Sequence, residues 1–203
     1  MSDVITFNTE SSVNNQGNYV QQVDILSLVD ENDPCLRSRS VEFDFVDPPV
    51  DPVEFASQLV ETCKIKGGYG LASNQVGVLL RVFVMGSDNE YVAMFNPKIV
   101  SKSEKESLIA EGCLSFPMLA LKISRSDEIV VEYQDFKGEH HTTELHYLSA
   151  HVFQHELDHL DGICYTDRAK PMALKMGMKK RGKFNKLVDR YNAAQNRLNN
   201  LSK

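Results

Sequence analysis

Two histidines four residues apart are the feature of this chain best suited to chemistry. His155 and His159 lie in the segment QHELDHLDG, and Glu156 directly follows the first of them. On a helix, residues four apart project from one face on consecutive turns, so both imidazoles could bind one metal ion. Glu156 would lie about 100° around the helix, within reach of a water on the ion. An ion that activates water beside a glutamate that carries protons would perform hydrolysis.

The same pattern also fits a helix whose histidines face solvent or form local hydrogen bonds. A catalytic ion needs a third protein ligand, because two histidines do not hold it alone. Cys113 in EGCLSFP is the candidate, since its neighbours indicate a tight turn that presents the thiol. The alternative is a buried cysteine that packs as a small apolar side chain. We interpret the other cysteines in that way: Cys35, Cys63 and Cys164. The remaining histidines are interpreted as surface or packing residues.

Three segments together resemble the peptide deformylase family, whose members remove the formyl group from the N-terminal methionine of nascent chains. The family motif Gly-x-Gly-x-Ala-Ala-x-Gln is matched by GYGLASNQ (68–75), and Glu-Gly-Cys-x-Ser is matched by EGCLS (111–115). Gln-His-Glu-x-Asp-His is matched by QHELDH (154–159). DPCLR (33–37) is similar to the family's usual start. Three motifs in the family's order and spacing favour a metal site over a chance pattern.

The resemblance implies a role for each motif residue. Cys113, His155 and His159 would bind one divalent ion and leave its fourth position to water. Glu156 would take a proton from the water that attacks the formyl carbon and pass it to the departing amine. The Gln75 side-chain amide and the Leu114 backbone N–H would stabilise the oxyanion, each donor being worth about 3 kcal/mol. Fe²⁺ is the ion expected in the cell, and Zn²⁺, Ni²⁺ or Co²⁺ can replace it in preparations.

N-formylmethionyl peptides are the substrates that the resemblance implies. Gly68 and Gly70 are expected to let the backbone of the chain approach the substrate peptide and to adopt backbone angles closed to other residues. The family residue matching Gly70 hydrogen bonds with the peptide in the manner of an added strand. Further candidates for substrate binding are Tyr69, Glu111, Gly112, His151 and Val152. Tyr69 can equally be a surface aromatic residue.

The sequence departs from the family pattern at two places, and it also predicts one ion pair. Ser73 replaces the second alanine of the first motif, which is tolerated if its hydroxyl finds a backbone carbonyl. The apolar segment MLALK (118–122) is expected to alter contacts with peptide residues further along. Metal-binding helices are normally oriented by partners behind the ligands. We therefore predict an ion pair between Asp158 and Arg125, and Glu111 either orients a metal-binding histidine or is a surface charge.

The elements that must position these residues indicate an α+β fold, because strands are grouped rather than alternating with helices. We expect antiparallel β-sheets packed around a central metal-binding helix, with an N-terminal and a C-terminal helix. Periodicity predicts helices from Pro52 and from about Tyr147 to Leu160. EIVVEYQD and HTTELHYL flank a glycine-containing turn and predict a hairpin. A final helix from about Lys179 is predicted to bury one stripe: Phe184, Leu187, Tyr191, Ala194 and Leu198.

The composition indicates one globular domain with terminal extensions. The chain has 203 residues, 42% of them hydrophobic, and a net charge of −6, which gives no polyanion-binding signature and predicts no DNA partner. No apolar run approaches the roughly 20 residues of a membrane span, and the start lacks a secretory pattern. Four cysteines without local pairing predict a reducing, cytoplasmic location. We divide the chain into a polar extension (1–24), a catalytic domain (25–166) and a basic C-terminal segment with its helix (167–203).

The C-terminal segment has the opposite charge to the rest of the chain. The stretch from Arg168 to Arg190 contains nine lysines and arginines and only one acidic residue, Asp189. By analogy with bacterial relatives, whose C-terminal helix docks on the ribosome, this segment is a candidate ribosome contact, and a solvated helix face is the alternative. Two other functions remain open for the chain: an HExxH-type zinc endopeptidase, which leaves EGCLS and GYGLASNQ unexplained, and a non-catalytic metal-binding protein.

Overall fold

Runs of β-branched and aromatic residues in the middle of the chain form a five-stranded antiparallel sheet. The computed structural model describes residues 23–88 and 90–201, without the side chains of 196 and 198–201. The strands of this sheet are β1 (Gly70–Ala72), β2 (Val82–Ser87), β3 (Glu90–Lys102), β6 (Glu128–Gln134) and β7 (His140–His146). They lie in the order β1-β2-β3-β6-β7. The predicted hairpin is confirmed, because β6 and β7 pair from Glu128–His146 to Gln134–His140.

A separate two-stranded sheet carries the cysteine motif. It consists of β4 (Glu106–Cys113) and β5 (Phe116–Ser126). Cys113 pairs with Phe116, so Leu114 and Ser115 form the tip of the hairpin. The register shifts between Glu111 and Cys113, and such an irregularity bends a strand and redirects its side chains. The tight turn expected at Cys113 is therefore present.

Helix α1 spans Pro52–Lys66, and its start agrees with the prediction. Asp51 caps it by accepting a hydrogen bond from the Glu54 backbone N–H at 2.8 Å, and Gly67 ends it at φ 70°. Its apolar stripe is buried against the sheet: Phe55, Ala56, Leu59, Val60 and Cys63. This helix closes one side of the glycine-rich segment that follows it.

Helix α2 spans Tyr147–Leu160, the bounds that periodicity predicts. It contacts β1, β2, β6 and β7 of the larger sheet and β5 of the smaller one. Phe153 and Leu160 are fully buried in the core that α2 shares with the sheet. The α+β class and the central position of the histidine helix are thus confirmed.

The C-terminal helix differs from the prediction. After the single turn α3 (Tyr165–Arg168), helix α4 spans Pro171–Leu201 and so begins earlier than Lys179. Its predicted buried stripe is wrong: Phe184 is 40% exposed and Leu187 and Tyr191 are each 63% exposed. Ala194 is also exposed, and the side chain of Leu198 lies outside the described residues. Periodicity predicts which face of a helix is apolar, but it does not predict whether another element covers that face.

Three clusters of buried side chains form the interior. One lies between α1 and strands β1–β3, a second between α2 and the larger sheet, and a third beside β5 and α3. Within the described residues, no helix is both long and apolar enough to cross a bilayer. The polar extension predicted for residues 1–24 falls almost wholly outside the described part of the chain.

Candidate metal centre and active site

Helix α2 presents His155 and His159 on one buried face. Their rings lie on consecutive turns with centroids 5.0 Å apart, and they are 7% and 1% exposed. The turn of the β4–β5 hairpin brings Cys113 to the same place, with its Sγ 3.2 Å from His159 Nε2. The structure therefore brings together the three residues proposed as ligands, two from a helix and one from a hairpin.

The mutual distances of the three donor atoms fit a single metal ion. One ligand atom from each of Cys113, His155 and His159 lies within 4.8 Å of the others. Donors at about 2.0–2.3 Å from a tetrahedral ion lie roughly 3.3–3.8 Å apart, so little rearrangement would be needed. Burial lowers the pKa of His159 well below its ordinary value, which favours the neutral imidazole that metals bind. The set is chemically and geometrically suited to a divalent cation.

Glu111 fixes the orientation of His155. His155 Nδ1 lies 2.9 Å from Glu111 Oε2, which leaves Nε2 on the side of Cys113 and His159. Burial raises the pKa of Glu111, but hydrogen bonds from His155 and Arg125 outweigh it and lower the pKa to about 2. Its carboxylate is thus a buried anion whose oxygens are already bonded. Of the two alternatives for this residue, the surface charge is wrong, because Glu111 is only 9% exposed.

Arg125 joins Glu111 to Asp158 beneath the candidate ligands. Its Nε and Nη2 donate to the Glu111 carboxylate at 2.5 and 3.0 Å, and its Nη1 donates to Asp158 Oδ2 at 2.7 Å. The ion pair predicted between Arg125 and Asp158 is therefore present. Sequence reasoning missed Arg168, which donates to both Asp158 oxygens at 3.0 and 2.6 Å. Its ten-residue separation from Asp158 matches no local periodicity, so only the packing of α3 reveals it.

The glycine-rich segment supplies two amide side chains to the site. Gln75 accepts from the Ala72 backbone N–H at 2.9 Å, and its Nε2 lies 3.4 Å from Cys113 Sγ and 3.0 Å from Ser115 Oγ. Its N–H donors therefore face the candidate metal position. Asn74, which sequence reasoning did not single out, donates to the His159 carbonyl at 2.5 Å. The one signal for Asn74 is its place inside the first motif.

Glu156 lies between the histidines and strand β1. It is 4% exposed, and its Oε2 has no hydrogen-bond partner among the described residues. Burial raises the pKa of Glu156 to about 7, although His155 and Arg125 act in the opposite direction. A carboxyl group in this state exchanges a proton readily near neutral pH, which is what a general acid–base residue requires.

The motif glycines are needed for space rather than for unusual backbone angles. A Cβ at Gly70 would lie 2.7 Å from Glu156 Cδ, and one at Gly68 would lie 2.8 Å from Leu114 Cδ1. Neither residue has a positive φ, so the expectation of angles closed to other residues is wrong for both. Gly67 and Gly77, at φ 70° and 82°, adopt that conformation instead. Both glycines are crowded by side chains of the chain itself, and the approach of their backbone to a substrate stays a prediction.

Ser73 meets the condition that the sequence set for it. Its side chain is fully buried, and its hydroxyl donates to the Leu80 backbone carbonyl. The replacement of the family's alanine therefore leaves no unpaired hydroxyl in the core. The departure is compatible with an intact first motif.

A cleft of about 600 Å³ opens onto Cys113, His155 and Glu156. All the residues expected to bind substrate line it: Tyr69, Gly70, Glu111, Gly112, His151 and Val152. Tyr69 is 59% exposed, so it forms part of the rim and is also a surface aromatic residue. Met118, from the apolar MLALK segment, stands at the same rim. An extended peptide can reach the donor cluster along this cleft.

Comparisons with known proteins agree with this geometry. The polypeptide deformylase family model matches residues 25–175. Peptide deformylase of Thermotoga neapolitana is 41% identical over 139 residues, which cover 68% of this chain and 84% of that protein. The crystal structure of the Thermotoga maritima peptide deformylase has a TM-score of 0.69 and 38% identity, and it covers 73% of this chain and 99% of that one.

A third similar protein has been solved with a peptide. It is a class I type b peptide deformylase from Acinetobacter baumannii bound to Met-Ala-Ser, with a TM-score of 0.68 and 26% identity. The match covers 72% of this chain and 99% of that one. The family match ends at residue 175, so most of α4 lies beyond it.

Proposed function

Because this chain belongs to the peptide deformylase family, we propose that Cys113, His155 and His159 hold the divalent ion with which it works. The enzyme is a hydrolase that removes the N-formyl group from the N-terminal methionine of newly synthesised polypeptides. The observation that carries the proposed site is the convergence of these three donors beside a buried glutamate in one cleft.

Fe²⁺ is the ion that we propose for the cell. One thiolate and two imidazoles suit iron, nickel, cobalt and zinc alike. When bound, the ion supplies a Lewis acid that activates water at neutral pH. Elemental analysis of protein purified without oxygen tests the choice: about one iron per chain is expected, and a full complement of zinc under those conditions would contradict it.

Glu156 is proposed as the residue that moves protons. It accepts one from the attacking water and delivers one to the amine as the bond between the formyl carbon and the nitrogen breaks. Its Oε2 has no hydrogen-bond partner among the described residues and its carboxyl group lies beside the donor cluster, and both observations support this role. Its burial also keeps bulk water from competing for that proton. The carboxylate is restored at the end of each cycle, so it is not consumed.

Gln75 and the Leu114 backbone N–H are proposed as donors to the oxyanion. The Gln75 carbonyl is held by Ala72, which fixes the direction of its amide N–H groups before substrate arrives. Leu114 follows Cys113 at the tip of the hairpin, where its N–H belongs to a turn rather than to a ladder. Donors fixed in advance are effective because they need no reorganisation during the reaction.

The rest of the cleft is proposed to hold the substrate. β1 is an edge strand, so Gly70 can pair with the peptide backbone as an added strand. Tyr69, Gly112, His151 and Val152 are proposed as neighbours of the methionine side chain. Glu111 lines the cleft too, but its carboxylate is bonded to Arg125 and His155. We propose that it orients the metal-binding imidazole of His155 and does not bind substrate.

Formate release from formyl-Met-Ala-Ser tests the proposed site. Glu156→Ala is expected to retain one metal ion per chain and to lose at least a thousandfold in kcat, because the proton carrier is absent while the ligands remain. Cys113→Ala is expected to lose the metal as well. Equal loss of metal in both variants would contradict the separate roles. Cleavage of internal bonds in unformylated peptides would instead favour an endopeptidase, and metal binding without turnover a non-catalytic protein.

Helix α4 is proposed to contact the ribosome, where the substrates of this enzyme emerge. Arg168, in α3, and Arg181, in α4, are paired with Asp158 and Glu31. Among the described residues, the unpaired charge of the basic segment therefore lies on its other lysines and arginines. Sedimentation with ribosomes should fall when 179–203 is removed, and unchanged binding would contradict the proposal.

We also propose a cytoplasmic location, which suits four free cysteines, and the division into a catalytic part (25–166) and a basic part (167–203).

A further inference from the structure

A second cavity adjoins the catalytic cleft. It has a volume of about 390 Å³ and lies between the β4–β5 hairpin and α4. Gly112, Cys113 and Met118 line both spaces, so the two adjoin along these three residues, one of which is a proposed metal ligand. The remaining lining comes from the hairpin and from α4: Phe116, Leu119, Ala120, Gly177, Lys180, Arg181 and Phe184. One wall therefore belongs to the family match and the other lies beyond residue 175.

Two contacts hold α4 in place as the second wall. Gly177 lies against β5, where a Cβ would come within 2.8 Å of Leu121 Cδ2 and 3.1 Å of Leu119 Cδ1. Arg181 forms an ion pair with Glu31, and its side chain is only 13% exposed. The cavity is thus a packed feature of the chain, because the helix is fixed on one side by close approach and on the other by charge.

The lining combines a cation that is unpaired within the described part of the chain, Lys180, with apolar side chains. Lys180 is exposed and has no ion-pair partner among the described residues, whereas the charge of Arg181 is balanced by Glu31. Met118 stands at the boundary of the two cavities with φ 62°, in the left-handed region that side chains rarely adopt. Phe184 supplies an apolar surface on the opposite wall.

We propose that this second cavity extends the substrate-binding cleft and receives downstream residues of the formylated polypeptide, with Lys180 favouring Asp or Glu among them. The inference rests on the proposed function, since it assumes that the formyl end lies at Cys113. The shared lining identifies the occupant. An extended peptide anchored at Cys113 advances about 3.3–3.6 Å per residue, so residues beyond the first few reach the rim of the cleft, where Met118 also lines the second cavity. Met118 and Phe184 provide apolar contact for the aliphatic parts of the same peptide residues.

Peptides that differ only beyond the third residue test the proposal. We compare kcat/KM for formyl-Met-Ala-Ser, for formyl-Met-Ala-Ser-Asp-Asp-Asp and for formyl-Met-Ala-Ser-Lys-Lys-Lys. The acidic hexapeptide is expected to exceed the basic one by about two- to fivefold for each residue that lies beside Lys180. The preference should shrink in 0.5 M salt, because partly exposed charges are screened.

In the Lys180→Glu variant, kcat/KM for the acidic hexapeptide should be equal to or lower than kcat/KM for the basic one. Lys186→Glu is the matched control, since it makes the same charge change on α4 at an exposed position outside both cavities; it should keep the wild-type ratio. Phe184→Ala should lower kcat/KM for the acidic hexapeptide relative to kcat/KM for the tripeptide. A wild-type ratio near one, or equal loss in both lysine variants, overturns the proposal. Failure to hydrolyse formyl-Met-Ala-Ser would instead overturn the proposed function itself.

Discussion

Gly70 and Glu156 are packed so closely that position 70 has room for a side chain only if Glu156 moves. A Cβ there would lie 2.7 Å from both Cδ and Cγ of the glutamate. Strand β1 thus presses on the one carboxyl group proposed to move protons, and the glycine of the first motif and the glutamate of the third depend on each other. Residues 86 positions apart in the chain form one unit of the site.

Replacing Gly70 with alanine should therefore damage catalysis without removing the metal. The added methyl group must displace Glu156, and a shift of about 1 Å in a reacting group can cost roughly a hundredfold in rate. Formate release and metal content measured on the same sample check this. Gly182→Ala is the control, because nothing lies within 4 Å of a Cβ there. A Gly70→Ala enzyme with full activity would show that Glu156 need not stay where it is.

Arg125→Met should unfold the protein more easily than Arg168→Met. Without Arg125 the buried carboxylates of Glu111 and Asp158 lose their shared partner, and a broken buried pair costs about 3–5 kcal/mol. Arg168 is 47% exposed in its side chain, and Asp158 would keep Arg125 after its loss, so a cost below about 1 kcal/mol is expected. Urea denaturation of both variants measures the difference. Equal midpoints would mean that Arg125 does not stabilise this cluster.

Ser73→Ala restores the residue usual in the family and should change little. The Leu80 carbonyl loses the serine hydroxyl but still accepts from the Val82 backbone N–H at 2.8 Å. Because the carbonyl keeps a donor, the change in unfolding free energy should stay within about 1 kcal/mol. Activity on formyl-Met-Ala-Ser should remain within twofold of the wild type. A large loss of activity would show that the hydroxyl has a role in the reaction.

Asp135 should make the stability of the β6–β7 turn depend on pH. Its carboxylate accepts from the Lys137 and Glu139 backbone N–H groups at 2.8 and 3.0 Å and lies 3.0 Å from His141 Nε2. Burial raises the pKa of Asp135, but these hydrogen bonds outweigh it and hold the pKa below its ordinary value. A lowered carboxyl pKa adds stability above the unfolded value of about 3.9, and this is lost as pH falls through the folded one.

Asp135→Asn should therefore lower the denaturation midpoint at pH 7 and approach the wild type below about pH 4. Glu144→Gln, on the exposed face of the same hairpin, should show no such convergence. Midpoints measured from pH 3 to pH 8 for the three proteins decide the matter. A constant difference between wild type and Asp135→Asn across that range would contradict the linkage.

Much of the site could be predicted because it is written in local patterns. The four-residue spacing of His155 and His159 places both on one face of any helix that contains them. The capped start of α1 and the bounds of α2 follow from residues next to each other in the chain. The hairpin of β6 and β7 follows from alternating runs on either side of a glycine turn. Each of these features depends on bond geometry over a few residues, so the order of residues alone determines it.

Other features depend on which elements meet, and the chain order does not state this. Arg168 donates a hydrogen bond to Asp158, and Asn74 donates one to the His159 carbonyl, because α3 and the first motif pack onto α2. Gly70 was expected to adopt backbone angles closed to other residues, but its φ is not positive and it is needed because Glu156 occupies the space of a side chain. The stripe on α4 was expected to be buried, yet Leu187 and Tyr191 are exposed. An amphipathic pattern specifies a face, but contact with that face is a property of the whole packed molecule.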